Sequence, residues 1–152
     1  MTPYDPSIGI AKQVPIVDAS IAYDCEFTNK TYILIFRNAL HVPTLEHNLI
    51  TPFILDEAGI ICNYRPKIDC SETSEAYHFI IHKDSGLRIP LKLNAIFLYF
   101  HSRKSTRTEL ESEDKIFFTP DSDNWNPYSN HYTKNEESMI KWQGEIIPVK
   151  IR

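Results

Sequence analysis

The sequence predicts a mainly β fold with one short helix. Three observations predict it. Aromatic residues make up 12% of the chain, with eight Tyr and eight Phe, and together with Ile and Val they favour pleated strands. Runs of such residues, for example "TYILIF" (31–36) and "IFLYF" (96–100), recur between clusters of turn formers. Only one stretch carries both a start and a stop signal for a helix. With 152 residues and 42% apolar content, the chain is sized for one domain with a proper core.

Residues 1–13 are polar, contain two prolines and read as a segment cut from something longer. From Ile16 an alternating strand is expected, with Ile16, Asp18 and Ser20 on one face and Val17, Ala19 and Ile21 on the other. Thr28-Asn29-Lys30 supplies a turn into "TYILIF", a continuous apolar run of the kind a buried strand needs. Pro43 cannot donate to a ladder and marks a corner. The helix is expected over 51–58, with Thr51 as N-cap, Pro52 at the first helical position and Gly59 as the left-handed stop. Phe53, Ile54 and Ala58, with Leu55 beside them, form its apolar stripe.

A strand and a loop follow in "IICNYRPKIDC", then two strand-like runs around Lys83-Asp84-Ser85-Gly86. The dense apolar region, taken as a domain over 14–100, closes with "NAIFLYF". Residues 101–152 then read as a polar, loosely ordered tail, either disordered or docking locally through isolated aromatics such as Phe117, Phe118, Trp125, Tyr128, Tyr132 and Trp142, and not as a second domain. A turn or two of helix is expected in "NEESMIKWQGEI" before Gly144.

The net charge of −4 and pI near 5.8 argue against non-specific nucleic-acid binding, which needs a basic surface. The basic cluster Arg103, Lys104 and Arg107 reads as a solvated linker. No apolar stretch resembles a signal peptide or approaches the ~20 residues of a membrane span. Cys25, Cys62 and Cys70 are an odd number without framework spacing, which fits reduced thiols in an intracellular chain, cytoplasmic or of unknown compartment. In that setting the sequon Asn29-Lys30-Thr31 has no consequence.

Two aspartates are candidate catalytic groups. Asp84-Ser85-Gly86 has the form Asp-Ser/Thr-Gly by which retroviral-type aspartic proteases present a carboxylate. Such chemistry needs two carboxylates sharing a proton, an apolar strand leading in, and a glycine-rich flap behind. Asp84 instead follows His82 and Lys83, and Gly144 is the only glycine after Gly86, so the tripeptide reads as a tight turn. Asp18 has the apolar lead-in but lacks the glycine that lets a chain bend under a carboxylate. Cys62, Cys70, His78 and His82 have no zinc-ligand spacing, and His78 and His82 lie ~13 Å apart along one strand. No metal, small-molecule cofactor or activated nucleophile is expected.

The stretch "TYILIFRNALHVPTLEHNLITPFILDEAGI" (31–60) resembles the protease-like region of copia-type (Ty1/copia) retrotransposon Gag-Pol polyproteins. That family runs an apolar strand into Val-Leu-x-Val-Pro, then Asn-Leu-Leu/Ile-Ser, a short helix and a glycine. The matching residues are Ala39, Leu40, Val42, Pro43, Asn48, Leu49, Ile50 and Gly59. Residues 87–111 and "FTPDSDNWNPYSN" (118–130) are similar to later elements of the same family, so the resemblance covers about 14–145.

The resemblance implies a retropepsin-like β-barrel, lying between a zinc knuckle and an integrase. The chain departs from it where the catalytic Asp-Ser/Thr-Gly-Ala belongs, upstream of the strand at 16–25. There Asp5 is followed by Pro6 and Ser7. The expectation is therefore a partial barrel of five or six strands, catalytically inactive alone, whose substrates, if another segment supplied the catalytic strand, would be the polyprotein's own junctions. Partners would be polyprotein segments or a second copy meeting an exposed strand edge. The alternative is a non-catalytic β-domain that binds proteins through those edges.

Overall fold

A computed structural model describes residues 13–66, 78–111 and 114–121, with scattered positions between 125 and 137. In chain order the elements are β1 (Ile16–Asp24), β2 (Thr31–Leu40), α1 (Pro52–Glu57), β3 (Ile61–Asn63), β4 (Phe79–His82), β5 (Leu87–Pro90), β6 (Lys92–Asn94), β7 (Phe97–Tyr99), α2 (Arg107–Leu110) and β8 (Lys115–Phe117). They form three separate sheets, ordered β1-β2-β8, β3-β4-β5 and β6-β7. The mainly β expectation holds. One correction applies: there are two short helices where one was expected, and among the described residues the strands do not close into a barrel.

The β1–β2 hairpin is the largest unit, and its turn is tied by hydrogen bonds from the Cys25 amide to the Lys30 carbonyl (2.9 Å) and from the Asn29 amide to the Cys25 carbonyl (3.0 Å). Asn29 sits in the left-handed region at φ 54°, which asparagine tolerates better than most residues. The strict alternation expected of residues 16–21 does not survive. The burial of β1 instead rises along the strand from exposed Ile16 to buried Ala22 and Tyr23. The register slips between Val17 and Ala19, where Arg37 and a left-handed Asn38 (φ 54°) together oppose the single Asp18, so it is β2 that carries the bulge.

α1 begins and ends where its signals stand. Thr51 occupies the N-cap with extended backbone, although its hydroxyl caps nothing, and Pro52 is in the first turn. At the far end the Ile60 amide bonds the Leu55 carbonyl (2.9 Å) and the Gly59 amide bonds that of Asp56 (3.0 Å). This is a Schellman stop, with Gly59 at φ 77°. Its accompanying apolar contact sets the helix rotation: Leu55 and Ile60 are both buried in the core. Phe53, expected in the stripe, is consequently turned out and 41% exposed.

The core lies between the two larger sheets. Tyr23, Tyr32 and Leu34 face Ile80, Leu87 and Ile89, with Leu55 and Ile60 closing one side. The Tyr32 hydroxyl donates to the Ser85 carbonyl (3.4 Å) and the Cys25 thiol to that of Arg88 (3.7 Å), joining the sheets at their polar margin.

The composition break at residue 100 is not the edge of this core. β8 pairs in parallel with β2 and brings Ile116 and Phe118 into the cluster, the latter with no exposure. Trp125 follows, its indole N–H donating to the Arg37 carbonyl at 2.9 Å. Isolated apolar residues in a polar stretch thus dock where the sheet offers an unpaired edge. Residues 1–12, Cys70, Tyr128, Tyr132, Trp142 and nearly all of the expected "NEESMIKWQGEI" helix lie outside the described residues.

Candidate functional site

Asp84 stands at the tip of the β4–β5 hairpin. His82 and Leu87 are paired, and Lys83-Asp84-Ser85-Gly86 turns the chain between them. The Gly86 amide bonds the His82 carbonyl (3.1 Å) with Gly86 at φ 75°. The side chain that organises the turn is Ser85. Its Oγ lies 2.8 Å from His82 Nδ1 and accepts from the Leu87 amide at 3.2 Å, while the Ser85 amide donates to the same Nδ1 at 3.3 Å. Asp84 itself is exposed, and its carboxylate meets no partner among the described residues.

Asp18 is committed elsewhere. Its Oδ1 accepts from the Asn38 amide at 3.1 Å, capping the backbone group that the bulge frees. Asn38 Nδ2 in turn donates to the Trp125 carbonyl at 2.5 Å. The two candidate aspartates therefore belong to different sheets, one as a bulge cap and one at an open turn. Among the described residues, neither faces a second carboxylate with which it could share a proton.

The Ser85–His82 pair was not foreseen from the sequence, although a serine hydroxyl against an imidazole is the start of a nucleophile–base arrangement. Here Nδ1 accepts a backbone N–H, so the ring proton is on Nε2, and no carboxylate meets Nε2 among the described residues. The pair is a local lock for the turn, and its signal is the His-x-x-Ser spacing just before Gly86.

His78, just before β4, and His82, at its end, have separate partners, His78 Nε2 bonding the Arg65 carbonyl at 2.7 Å. Cys62 pairs with Ile80 in the β3–β4 ladder. Burial, with Asp56 nearby, pushes its thiol up from the ordinary range. Among the described residues no group of three or more His, Cys, Asp or Glu is placed to hold a metal ion. No described helix is long and apolar enough to cross a membrane.

The family-motif block occupies the connection from β2 to α1. The Leu45 amide bonds the Val42 carbonyl at 3.1 Å, so Val42-Pro43 opens a turn. Val42 is half-buried, Pro43 and Asn48 are exposed, and Leu49 is 80% exposed. Of these motif residues, Gly59 has the clearest local task, as the left-handed stop of α1.

A charged cluster absent from the sequence reading lies on the outer side of β1. Arg103 meets Asp24 through Nε and Nη2 (2.9 and 3.0 Å) and Glu109 through Nη1 and Nη2 (2.8 and 2.6 Å). Thr106 and Glu109 form a capping box at the start of α2. Arg103, helped by the Thr31 hydroxyl, holds the Asp24 carboxyl down at about 2. Arg103 and then the Thr106 amide hold Glu109 down at about 2, and the guanidinium's own affinity for its proton rises. The "solvated" basic cluster is thus divided, with Arg103 spent on two acids.

What the surface offers is open strand and apolar side chain. A shallow depression of about 480 Å³ runs beside β3, lined among others by Ile61, Cys62, Tyr64, Arg65 and Phe79. The two-stranded β6–β7 unit exposes Leu93, Ile96 (86%) and Phe97 (70%). No protein-family model, curated protein or solved structure matches the chain.

Proposed function

We propose that this chain is part of the protease region of a copia-type retrotransposon polyprotein and does not cleave peptides on its own. The observation that carries the second half is the fate of the two aspartates: Asp84 stands at an exposed turn with no partner among the described residues, and Asp18 caps a bulge. An aspartic protease needs two carboxylates close enough that one proton serves both. The family half rests on the ordered block Val42-Pro43, Asn48-Leu49 and Gly59, which links an apolar strand to a short helix and its glycine stop.

The test is incubation of the purified chain with peptides spanning polyprotein junctions, with and without pepstatin. No cleavage is expected, alone or mixed with an Asp84→Asn variant. Pepstatin-sensitive cleavage that disappears in Asp84→Asn would overturn the proposal.

A second reading, a β-domain that binds proteins through its strand edges, is favoured by the exposed Leu49, Ile96 and Phe97 and by the two-stranded β6–β7 unit. Contiguous exposed apolar surface marks interaction sites, and a lone hairpin is marginal in water. Sedimentation velocity over a concentration series, on the chain and on Ile96→Lys, separates the two. Association that Ile96→Lys weakens supports this reading, and a chain monomeric throughout removes it.

A further inference from the structure

The β6–β7 hairpin stands outside the core. Leu91, just before it, and Phe100, just after it, both pack against the core cluster, Phe100 meeting Tyr23 edge to face with ring centroids 5.7 Å apart. The Leu91 amide adds a hydrogen bond to the His78 carbonyl at 2.9 Å. Between those anchors the ladder pairs Lys92 with Tyr99, Leu93 with Leu98 and Asn94 with Phe97, and among the described residues neither strand joins another sheet. Ala95 and Ile96 turn the chain, with Ala95 at φ 53°, a left-handed backbone that alanine adopts only at a cost. The turn leaves Ile96 86% exposed, with Phe97 at 70% and Leu93 at 61%.

Charge is segregated along the sequence around this hairpin. From Ser85 to Thr108 the chain holds Arg88, Lys92, Arg103, Lys104 and Arg107 and no acid, so all 20 Asp and Glu residues lie outside the stretch, although the whole chain stands at −4. Arg103 is spent on Asp24 and Glu109. Lys92, Lys104 and Arg107 are exposed and form no ion pair among the described residues. Lys92 belongs to the hairpin itself, across the ladder from Tyr99.

We propose that this hairpin docks the chain on an anionic lipid surface, with Ile96 and Phe97 entering the interface and Lys92 meeting the headgroups. Such binding grows with the apolar area buried and with the attraction of cations to anionic lipid. The Tyr99 ring and the Lys92 stem, at the base of the apolar tip, suit the boundary, since each is apolar along its body and polar at its end. Fluid hydrocarbon accepts a protruding tip of any shape, whereas a protein partner must offer a recess cut to it. Single-stranded nucleic acid stacks its bases on ring faces, and the most exposed residue of this tip is aliphatic. Docking of this kind is independent of both readings above.

The experiment is co-sedimentation of the full chain with vesicles of phosphatidylcholine alone and of equal parts phosphatidylcholine and phosphatidylserine. Wild type is expected to prefer the mixed vesicles, and to bind them more weakly in about 1 M salt, where the Debye length is about 3 Å. The double variant Ile96→Ser with Phe97→Ser should bind about tenfold more weakly or worse, from the apolar area it withdraws. Lys92→Gln should cost about fivefold, the effect of one cation near the surface. Both variants should keep the wild-type urea midpoint, because the core cluster contains none of the three residues. Should the double variant fail that control, Phe97→Trp supplies the readout. Lipid brominated in its acyl chains should quench its emission beyond that of wild type, and equal quenching overturns the proposal. No binding to either vesicle, equal binding to both, or binding that the double variant retains also overturns it. Self-association in sedimentation velocity that the double variant abolishes, without vesicle binding, overturns it in favour of the strand-edge reading. Binding of a single-stranded oligonucleotide in place of vesicles overturns it in favour of a nucleic-acid surface.

Discussion

Adjacent phenylalanines give the sharpest test of where the core ends. Phe118 has no exposure and meets Phe36 edge to face, with ring centroids 5.5 Å apart at 72°. Phe117, one residue earlier on β8, is 43% exposed, and its ring lies under the Arg37 guanidinium at 4.1 Å. Truncating a buried Phe to Ala costs about 3–5 kcal/mol, transfer and cavity together. Phe117→Ala loses a half-exposed ring and a solvent-screened cation–π contact worth about 0.5–1 kcal/mol. Urea unfolding followed by far-UV circular dichroism reads both. With m of about 2 kcal/mol/M, Phe118→Ala lowers the midpoint by about 2 M and Phe117→Ala by a few tenths. Comparable small shifts in the two variants would refute the reasoning, because they would mean that β8 is not held in the core. Loss of folding in Phe118→Ala alone would agree with it, since the whole stability of such a domain is about 5–15 kcal/mol.

Gly59→Ala has open space around the new methyl, so its cost is the left-handed backbone alone, about 1–2 kcal/mol in thermal unfolding, and Gly59→Asn should cost less. Asp18→Ala removes the cap of an exposed bulge and should cost at most about 1 kcal/mol by the same measurement, with Asp84→Ala near zero. Asp24 and Glu109 are held at about 2, below the usual carboxylate value of about 4. Their contribution is therefore complete above that usual value and is lost as pH falls towards 2, an acid limb that Arg103→Ala should flatten. Burial, with Cys25 and Glu26 nearby, pushes the Tyr23 phenol up to about 12. Its contribution is present below the ordinary value of about 10 and is lost as pH rises through 12, visible as one late tyrosine in an absorbance titration.

The parts of the fold legible in the sequence are those written by local chemistry. Pro52 and Gly59 bracket α1 because a fixed φ and a free φ are needed at those two places, whatever packs around them. Asp-Ser-Gly is a turn for the same reason: Gly86 supplies the left-handed residue and Ser85 ties the amides. What the sequence hid depends on distant partners. The bulge at Arg37-Asn38 needs Asp18 across the hairpin to define it. The inward face of α1 was decided by the Leu55–Ile60 contact at the helix stop, and a six-residue stripe is too short to outvote that.

β8 was the least visible element, because three residues of a polar stretch need only one of them, Ile116, to be buried before Phe118 completes the contact. Composition averages over such a stretch and reports polarity, whereas a sheet edge selects single residues from it. The same logic applies to Arg103. A basic triplet looks solvated in one dimension, yet Asp24, 79 positions away in sequence, and Glu109, six positions on, converge on the first of its cations. Polar segments next to an apolar hairpin are therefore best read for isolated large apolar residues and for a cation three residues before a capping threonine. Both signals are present here, and together they locate the Arg103 cluster and β8, which the average conceals.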